Sequence, residues 1–330
     1  MTAVTDNVQK QEAIAQRFCT ETIRDLGRIC TQTSPGPGTP LFFIGSSPSM
    51  ASRIINPDSP AAGAMISLNQ LAGRVSDFEV EAWILDSGAF TKISSLGEYP
   101  HAVEWHYWQI CRWSRCGNLL IAVAEDYMCE PVVLARTGLT VQRHQELTLE
   151  RYDKLIGLAP PVPIMPVLQG YRVDEYILHL QMYGNRLLPG QWVGVGSVCR
   201  RNGSPLEVLA ILKTIKLIRP DLRLHGFGLK QLALENQDVR SLLYSCDSMA
   251  WSVPRKFGNS TSELELAHQY QQKVQAAVTD SAQKRVPRTA GAGNGQGRKP
   301  QWNRPTKAIR VPAEFADQLV QLAREWDKEV

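Results

Sequence analysis

Three aspartates stand at the ends of short apolar runs, where carboxylates can do chemistry. Asp86 follows AWIL, Asp126 lies two residues beyond LLIAVA, and Asp247 follows LLYSC. If these runs are buried parallel strands, their carboxyl ends bring the three side chains to one face. Carboxylates that lie close together and are partly desolvated take unequal pKa values, which suits divided acid and base roles. Because Asp before Ser-Gly is also common in turns and helix caps, a structural role for Asp86 stays open.

Small and polar residues end several other apolar runs. Gln169 and Gly170 follow PIMPVL, and Gly-Val-Gly and Gly-Phe-Gly end two further runs. These glycines match neither the GxGxxG fingerprint nor a Walker loop, so a phosphate cradle is not indicated and tight turns are the alternative. His225, which lies inside one of these runs, is predicted to be a packed histidine rather than a ligand.

Eight short apolar runs would have to position these residues, and helical patterns separate the later ones. Such runs between helices are typical of a parallel sheet that is covered on both faces. Eight of them predict an α/β fold, a (β/α)8 TIM-type barrel, and a doubly wound sheet is the alternative. The second run is the weakest, since it could equally be helical. The predicted runs are Leu41–Gly45, Met65–Leu68, Ala82–Leu85, Leu119–Ala124, Pro163–Leu168, Trp192–Val195, Leu222–Phe227 and Leu242–Cys246.

The two ends of the chain differ from its middle. We predict a barrel with an N-terminal helical extension over residues 1–277, a flexible basic linker over 278–305, and a short strand with an amphipathic C-terminal helix over 306–330. Residues 279–311 hold eight basic residues and one acidic residue. This segment is either an arm that binds phosphates or a solvated linker. The C-terminal helix cannot bury its apolar face alone, so it is expected to pack on the barrel or on a second copy of the chain.

The composition excludes several classes of protein. With 43% hydrophobic and 21% charged residues among 330, the chain has a globular profile. It has no run of about 18 uncharged apolar residues, so no membrane span or membrane partner is expected. Residues 1–25 lack the pattern of a signal peptide, and seven scattered cysteines indicate reduced thiols rather than disulfides. The expected location is the cytoplasm.

Six motifs, taken in order, resemble the tRNA-guanine transglycosylase superfamily. Several of them are most similar to its DNA-directed branch, the DpdA-type 7-deazaguanine DNA transglycosylases. The resemblance spans about residues 40–260 and depends on the order of the motifs, because each motif alone is weak. The motifs are DSGAF at 86–90, DYMCEP at 126–131, QG at 169–170, VGVGSVCRR at 193–201, LHGFGLK at 224–230 and DSMAWS at 247–252.

The resemblance implies a role for each aspartate. Asp247 matches the nucleophile that attacks C1′ of the target nucleotide, expels guanine and forms a covalent glycosyl-enzyme. Asp86 matches the general acid/base that handles the proton of the incoming base. Asp126 is expected to accept hydrogen bonds from the ring N1–H and 2-amino groups, and Gln169 with the amides of Gly194–Gly196 to bond to the ring carbonyl. Further residues expected in the base pocket are Ser87, Phe90, Cys129, Gly170, Val195 and Gly226.

Basic residues beside the expected pocket are candidates for contacts with nucleic-acid phosphates. An ordinary surface role for these cations stays open. An aromatic residue, Trp251, either stacks on a base or ribose or packs at the barrel rim. The candidates for nucleic-acid binding are Arg200, Arg201, Lys230, Trp251, Arg255 and Lys256.

The chain departs from the tRNA enzymes of the superfamily at their zinc site. Those enzymes hold a structural zinc on a Cys-x-Cys-x-x-Cys cluster and a downstream histidine, whereas no cysteine follows Asp247 in this sequence. We therefore predict no structural zinc, and no other cofactor. The tRNA-binding C-terminal domains of archaeal relatives also have no counterpart in this sequence, which favours DNA as the substrate.

Together, the motifs and their departures predict a base-exchange glycosyltransferase. It would replace guanine in DNA with a free 7-deazaguanine base, expected to be 7-cyano-7-deazaguanine. The same exchange on tRNA is the alternative reaction, and a non-catalytic barrel that binds nucleic acid is the alternative from another class. A helper protein or a second copy of the chain is the expected protein partner.

Overall fold

The computed structural model describes residues 38–201, 203–256 and 260–283, without the side chains of residues 255, 256 and 279–283. The predicted N-terminal helix, most of the predicted linker and the C-terminal strand and helix lie outside the described residues. Those predictions, and the predicted division into domains, stay predictions.

The described residues form a barrel of nine short parallel strands. The strands are β1 (Leu41–Gly45), β2 (Gly63–Ser67), β3 (Trp83–Asp86), β4 (Leu119–Val123), β5 (Ile164–Met165), β6 (Val167–Leu168), β7 (Trp192–Val195), β8 (Arg223–Gly226) and β9 (Ser245–Ser248). Consecutive strands pair from β1 to β5 and from β6 to β9, β9 pairs with β1, and β5 and β6 are the two ends of the strand order. All these pairs are parallel.

The strand order begins with β5 and ends with β6, and these two strands are consecutive pieces of one extended stretch. The barrel is therefore nearly closed. Pro166 separates them, and a proline has no N–H to give to a ladder of hydrogen bonds. The nine strands therefore correspond to the eight predicted runs. The predicted (β/α)8 TIM-type barrel is confirmed, and the doubly wound sheet is excluded.

Helices surround the strands. Those that the structure describes are α1 (Pro48–Ile54), α2 (Leu68–Leu71), α3 (Ala89–Leu96), α4 (Val103–Trp113), α5 (Pro131–Thr137), α6 (Val141–Gly157), α7 (Val173–Tyr183), α8 (Pro205–Ile218), α9 (Gln231–Glu235), α10 (Gln237–Leu242), α11 (Val253–Lys256) and α12 (Glu263–Gln283). Short 3-10 turns occupy Gly184–Arg186, Val198–Arg201 and Ala250–Ser252. Within this part of the chain, no helix combines the length and the apolar character that a membrane span requires.

Several strand ends differ from the predicted runs by one to three residues, and two differences in element boundaries bear on the predictions. The last strand begins at Ser245 instead of Leu242, because Leu242 ends α10, and Asp247 therefore lies within β9 rather than behind it. Helix α12 continues to Gln283, past residue 278, where the linker was predicted to begin. The sequence contains no helix-breaking proline there until Pro287.

The core has two layers that follow the alternation of side chains along the strands. On β1, Leu41 and Phe43 belong to the cluster inside the barrel, which also contains Trp192. Phe42 and Ile44 belong to the larger cluster between strands and helices. Alternate residues of a strand point to opposite faces, so one short strand supplies both layers. The packed interior leaves the carboxyl ends of the strands as the place for a site.

Candidate active site

Asp247 presents one oxygen to fixed donors and leaves the other without one. Its side chain is 14% exposed. Oδ1 accepts the Gly228 N–H at 2.9 Å and lies 3.2 Å from His225 Nε2. Gly228 has a φ of 61°, which favours glycine, and a Cβ there would lie 2.9 Å from the Cβ of Cys199. Among the described residues no hydrogen bond reaches Oδ2, so this oxygen keeps its lone pairs free of protein donors.

Asp86 ends β3 and is suited to hold a proton. Its Oδ2 accepts the Gly88 N–H at 3.2 Å. Burial raises the pKa of the Asp86 carboxyl, a hydrogen bond from Ser67 opposes this change, and the nearby charge of Asp247 raises the pKa further. Gly88 has a φ of 72°, and a Cβ there would lie 2.6 Å from Asn69 Nδ2, so the turn favours glycine.

Asp126 and Gln169 form a buried pair beside the two carboxylates, with exposures of 6% and 1%. The Gln169 Nε2 donates a hydrogen bond to Asp126 Oδ2. Tyr99 fixes the Asp126 backbone, since its hydroxyl donates to Asp126 O at 2.8 Å and accepts from Asp126 N–H at 2.9 Å. Burial raises the pKa of Asp126 to about 7. The hydrogen bond from Gln169 lowers this pKa, and the charge of Asp86 raises it further. A carboxylate and an amide held together can recognise a ring edge with several polar groups.

Ser197 links this pair to the loop that follows β4. Its backbone has a φ of 59°, an uncommon conformation for a residue with a side chain. Its hydroxyl donates to Gln169 Oε1 at 3.0 Å and accepts the Cys129 N–H at 3.4 Å. Cys129 is fully buried, and burial raises the pKa of its thiol, so it is a packing group rather than a nucleophile. Glu130 lies beside Ser197, and its Oε2 is buried with no hydrogen-bond partner among the described residues.

The glycines of Gly194-Val195-Gly196 serve the barrel rather than the base. Their two N–H groups donate to Pro166 O and Leu168 O, both at 2.9 Å. The N–H groups of Gly194 and Gly196 are therefore already used inside the barrel, which disagrees with their predicted hydrogen bonds to a ring carbonyl, and the prediction for the Val195 amide stays a prediction. A Cβ at Gly196 would lie 2.2 Å from Gln169 Nε2, so this glycine leaves room for the amide side chain.

The other predicted pocket residues divide into framework and rim. Ser87 is fully buried, and its hydroxyl accepts the Ala89 N–H at 3.4 Å at the start of α3. Phe90 is 46% exposed, and the guanidinium carbon of Arg200 lies 5.0 Å from its ring centroid. The remaining buried framework residues are Gly170, Val195 and Gly226.

A partly buried cation, Lys92, lies near Asp86 and was not among the predicted site residues. Lys92 Nζ donates to Ser87 O at 3.0 Å and lies 3.9 Å from Glu125 Oε1. Glu125 is 2% exposed and also accepts hydrogen bonds from Arg151. Ser67, whose hydrogen bond lowers the pKa of Asp86, lies inside the predicted run Met65–Leu68, and only the observed strand places it at the end of β2.

Two of the predicted nucleic-acid contacts do not fit the structure. Arg201 is only 9% exposed, and its guanidinium donates to Ser197 O and Tyr171 O and pairs with Glu207 at 3.3 Å. Trp251 is 5% exposed and donates its indole N–H to Gly45 O at 2.7 Å. Both side chains are therefore committed inside the protein, and the alternative of rim packing is the correct one for Trp251.

The remaining candidates for nucleic-acid binding stay predictions. Arg200 is exposed at the rim of the barrel mouth, and Lys230 is exposed at the start of α9. Arg255 and Lys256 lie in α11, and their side chains are outside the described residues. Exposed cations around the mouth are suited to contact the phosphates on either side of a bound nucleotide.

The model of one protein family, DpdA or DeoxyPurine in DNA protein A, matches residues 66–263. The match covers more than half of the chain and includes all three aspartates. The chain belongs to the DpdA family. DpdA proteins are 7-deazaguanine DNA transglycosylases within the tRNA-guanine transglycosylase superfamily, so the resemblance found in the motifs is confirmed. No curated protein matches the chain.

Proposed function

We propose that the protein exchanges a guanine in DNA for free 7-cyano-7-deazaguanine through a covalent ester on Asp247. The observation that carries this proposal is a pair of unlike carboxylates at the barrel mouth. Asp247 has donors on one oxygen only, and Asp86 has a pKa that burial raises. Membership of the DpdA family supports a transglycosylase that acts on DNA with a 7-deazaguanine. The proposed exchange balances its protons and electrons without a metal or redox cofactor.

In the first half of the exchange, Asp247 Oδ2 donates an electron pair to C1′ of the target nucleotide. The C1′–N9 bond breaks, its electron pair moves into the guanine ring, and Asp86 gives the ring a proton. A purine anion leaves poorly, so protonation and a covalent intermediate divide one difficult substitution into two easier ones. The raised pKa of Asp86 suits it to hold this proton before the bond breaks.

In the second half, the incoming base replaces the enzyme at C1′. Asp86, now a carboxylate, takes the N9 proton of the incoming base. N9 attacks C1′, the C1′–Oδ2 bond breaks, and its electron pair returns to Asp247. Two inversions restore the original anomer, and both carboxyl groups recover their starting protonation states.

Asp126 and Gln169 are proposed to recognise the base. The ionised Asp126 accepts hydrogen bonds from N1–H and the 2-amino group, and the second hydrogen on Gln169 Nε2 is available for the ring carbonyl. Adenine presents an acceptor at N1 and a donor at C6, so it would leave both buried groups without suitable partners, which is costly. The target base has to leave the duplex or be offered in single-stranded DNA to reach this depth.

The exchange is tested with labelled 7-cyano-7-deazaguanine, purified protein, single- and double-stranded DNA and tRNA. We expect label in DNA, and a loss of about 10⁴-fold in rate for Asp247→Asn and for Asp86→Asn. The matched control is Asp153→Asn, because Asp153 lies near the end of α6, is 45% exposed and pairs with Arg186 instead of a residue of the site. This control is expected to keep the rate of the unmodified protein.

Each alternative corresponds to a different outcome. Label in tRNA alone would reject the assignment to DNA. Nucleic-acid binding with no label in any polynucleotide would favour a non-catalytic barrel. Full activity of both site variants would reject the assignment of the two aspartates.

A further inference from the structure

His225 is buried in an aromatic cage next to the proposed nucleophile. It is fully buried, and the nearest ring is that of Phe227, with centroids 4.8 Å apart. The rings of Trp192 and Phe43 lie 6.3 and 6.4 Å away. The sequence predicts packing alone for this residue, and the structure adds a polar contact at each ring nitrogen.

The neighbouring hydrogen bonds fix the tautomer of His225. The Trp192 indole N–H donates to Ser245 Oγ at 2.7 Å, and an indole nitrogen can only donate. Ser245 is fully buried, and His225 Nδ1 lies 2.8 Å from its Oγ. Among the described contacts, the Ser245 hydroxyl hydrogen has no acceptor other than His225 Nδ1, so Nδ1 accepts this hydrogen bond. The imidazole proton therefore lies on Nε2, which donates to Asp247 Oδ1 at 3.2 Å.

We propose that His225, oriented by Ser245 and Trp192, is a positioning residue that holds Asp247 with Oδ2 towards the sugar carbon. This inference rests on the proposed function, because it assigns Asp247 the attack on C1′. Rotation of the carboxylate would exchange its two oxygens. Donors from His225 and Gly228 on the same oxygen oppose that rotation and leave the Oδ2 lone pairs for the reaction.

The hydrogen bonds from His225 and Gly228 to Oδ1 can be kept through both steps of the proposed reaction. When the Oδ2–C1′ bond forms and the C1′–N9 bond breaks, Oδ1 becomes the carbonyl oxygen of the ester and can keep both hydrogen bonds. When the incoming N9 displaces the ester, the electron pair of the C1′–Oδ2 bond returns to the carboxylate. The same two N–H groups then stabilise the charge that develops on Asp247. The imidazole keeps its Nε2 proton in both steps.

The other buried histidines of the described chain have different partners. His106 contacts the Val123 carbonyl at 3.1 Å, and His144 contacts the Met128 carbonyl at 2.6 Å. His179 contacts the Gln169 backbone. Among the described residues, His225 is the histidine that a carboxylate contacts. His106 is therefore a matched control, since it is equally buried and binds only a backbone group of the barrel.

The kinetic test compares His225→Phe, His225→Gln, Ser245→Ala and the control His106→Gln on labelled base and DNA. Only variants with intact folding by circular dichroism are compared. His225→Phe is expected to lower kcat about 100-fold with little change in KM for the free base. His225→Gln restores an N–H donor and is expected to recover about tenfold of the lost kcat. Ser245→Ala is expected to lower kcat about tenfold. An unchanged kcat in folded His225→Phe, or a loss confined to KM, would overturn the inference.

A second measurement needs no activity and separates this inference from the proposed function. Long-range ¹H–¹⁵N NMR of protein labelled at histidine should show His225 with its proton on Nε2, and Ser245→Ala should change that tautomer population. A proton on Nδ1 in the unmodified protein would contradict the hydrogen-bond assignment. If the unmodified protein exchanges no base but carries the Nε2 tautomer, the proposed function fails while the geometry holds. If it exchanges base and the His225 variants match it, the positioning role alone fails.

Discussion

The two sides of the barrel mouth use the same residue type in opposite surroundings. On the side that we propose faces the sugar (the sugar side: Asp247, His225 and Gly228), the carboxylate is partly exposed and has donors on one oxygen only. On the base side, defined by Asp126, Gln169 and Ser197, the carboxylate is buried and burial raises its pKa to about 7.

The difference between the two sides fits the separate roles that we propose for the two carboxylates. The proposed nucleophile needs an oxygen without a competing donor, and Asp247 Oδ2 has none among the described residues. The proposed recognition of the base needs a buried place in which an unmatched polar group is costly, and Asp126 is buried. Asp86 lies near both carboxylates, since the charge of Asp247 raises its pKa and its own charge raises the pKa of Asp126.

Among effects on binding and stability, the largest is expected from removing the charge of Asp126 on the base side. Asp126→Asn replaces an acceptor with a side chain that also donates, so it opposes the N1–H and 2-amino donors of the base. We expect the affinity for free 7-cyano-7-deazaguanine to fall about 100- to 1000-fold, as measured by calorimetry at pH 8. Asp153→Asn is the control. An affinity within twofold of the unmodified protein would remove Asp126 from base recognition and erase the contrast between the two sides.

The pH dependence of folding gives the next largest effect. The folded pKa of Asp126, about 7, lies above its ordinary value of 3.8. Below about pH 4, Asp126 is protonated in both the folded and the unfolded protein. As the pH rises towards about 7, Asp126 ionises in the unfolded protein but stays protonated in the folded protein, so the free energy of unfolding falls. The free energy of unfolding of the unmodified protein should therefore fall relative to Asp126→Asn over this range, by up to about 4 kcal/mol. Urea unfolding at several pH values measures the difference, and a difference that is independent of pH would contradict the assignment.

The smallest effects separate the two neighbouring arginines at the rim. Arg201→Ala should lower the free energy of unfolding by about 2 kcal/mol, because Ser197 O and Tyr171 O lose their donor. Arg200→Ala should leave stability unchanged and reduce the slope of log affinity for DNA against log salt by about one. Urea unfolding and fluorescence anisotropy measure the two effects. The reverse pattern would show that the exposed arginine is structural and the buried one binds phosphate.

The barrel could be predicted because the succession of apolar runs and helical patterns is visible in the sequence. The three aspartates could be predicted because each lies at or near the end of an apolar run. The apolar runs placed β1 and β7 correctly, and the strand-end rule brought Asp86 and Asp126 to one mouth. The start of β9 was wrong by three residues because Leu242 and Tyr244 are apolar whether they end a helix or enter a strand.

Partners that are distant in the sequence could not be predicted. Nothing local distinguishes Arg201, which turns inwards to Tyr171, from exposed Arg200 beside it. The contact of His225 with Asp247 depends on the register of β8 and β9, which places His225 opposite Ser245. The resemblance implies that the amides of Gly194 and Gly196 bond to the base, and their actual bonds to Pro166 O and Leu168 O are visible only in three dimensions.

The most direct test of the account is to locate the covalent bond. The protein is incubated with guanine-containing DNA oligonucleotides without free base, denatured, and digested with nuclease and protease before peptide mass spectrometry. We predict a deoxyribose adduct on Asp247 that is absent in Asp247→Asn and retained in Asp153→Asn. Base exchange that proceeds with no adduct, or with an adduct on any other residue, would contradict the central claim.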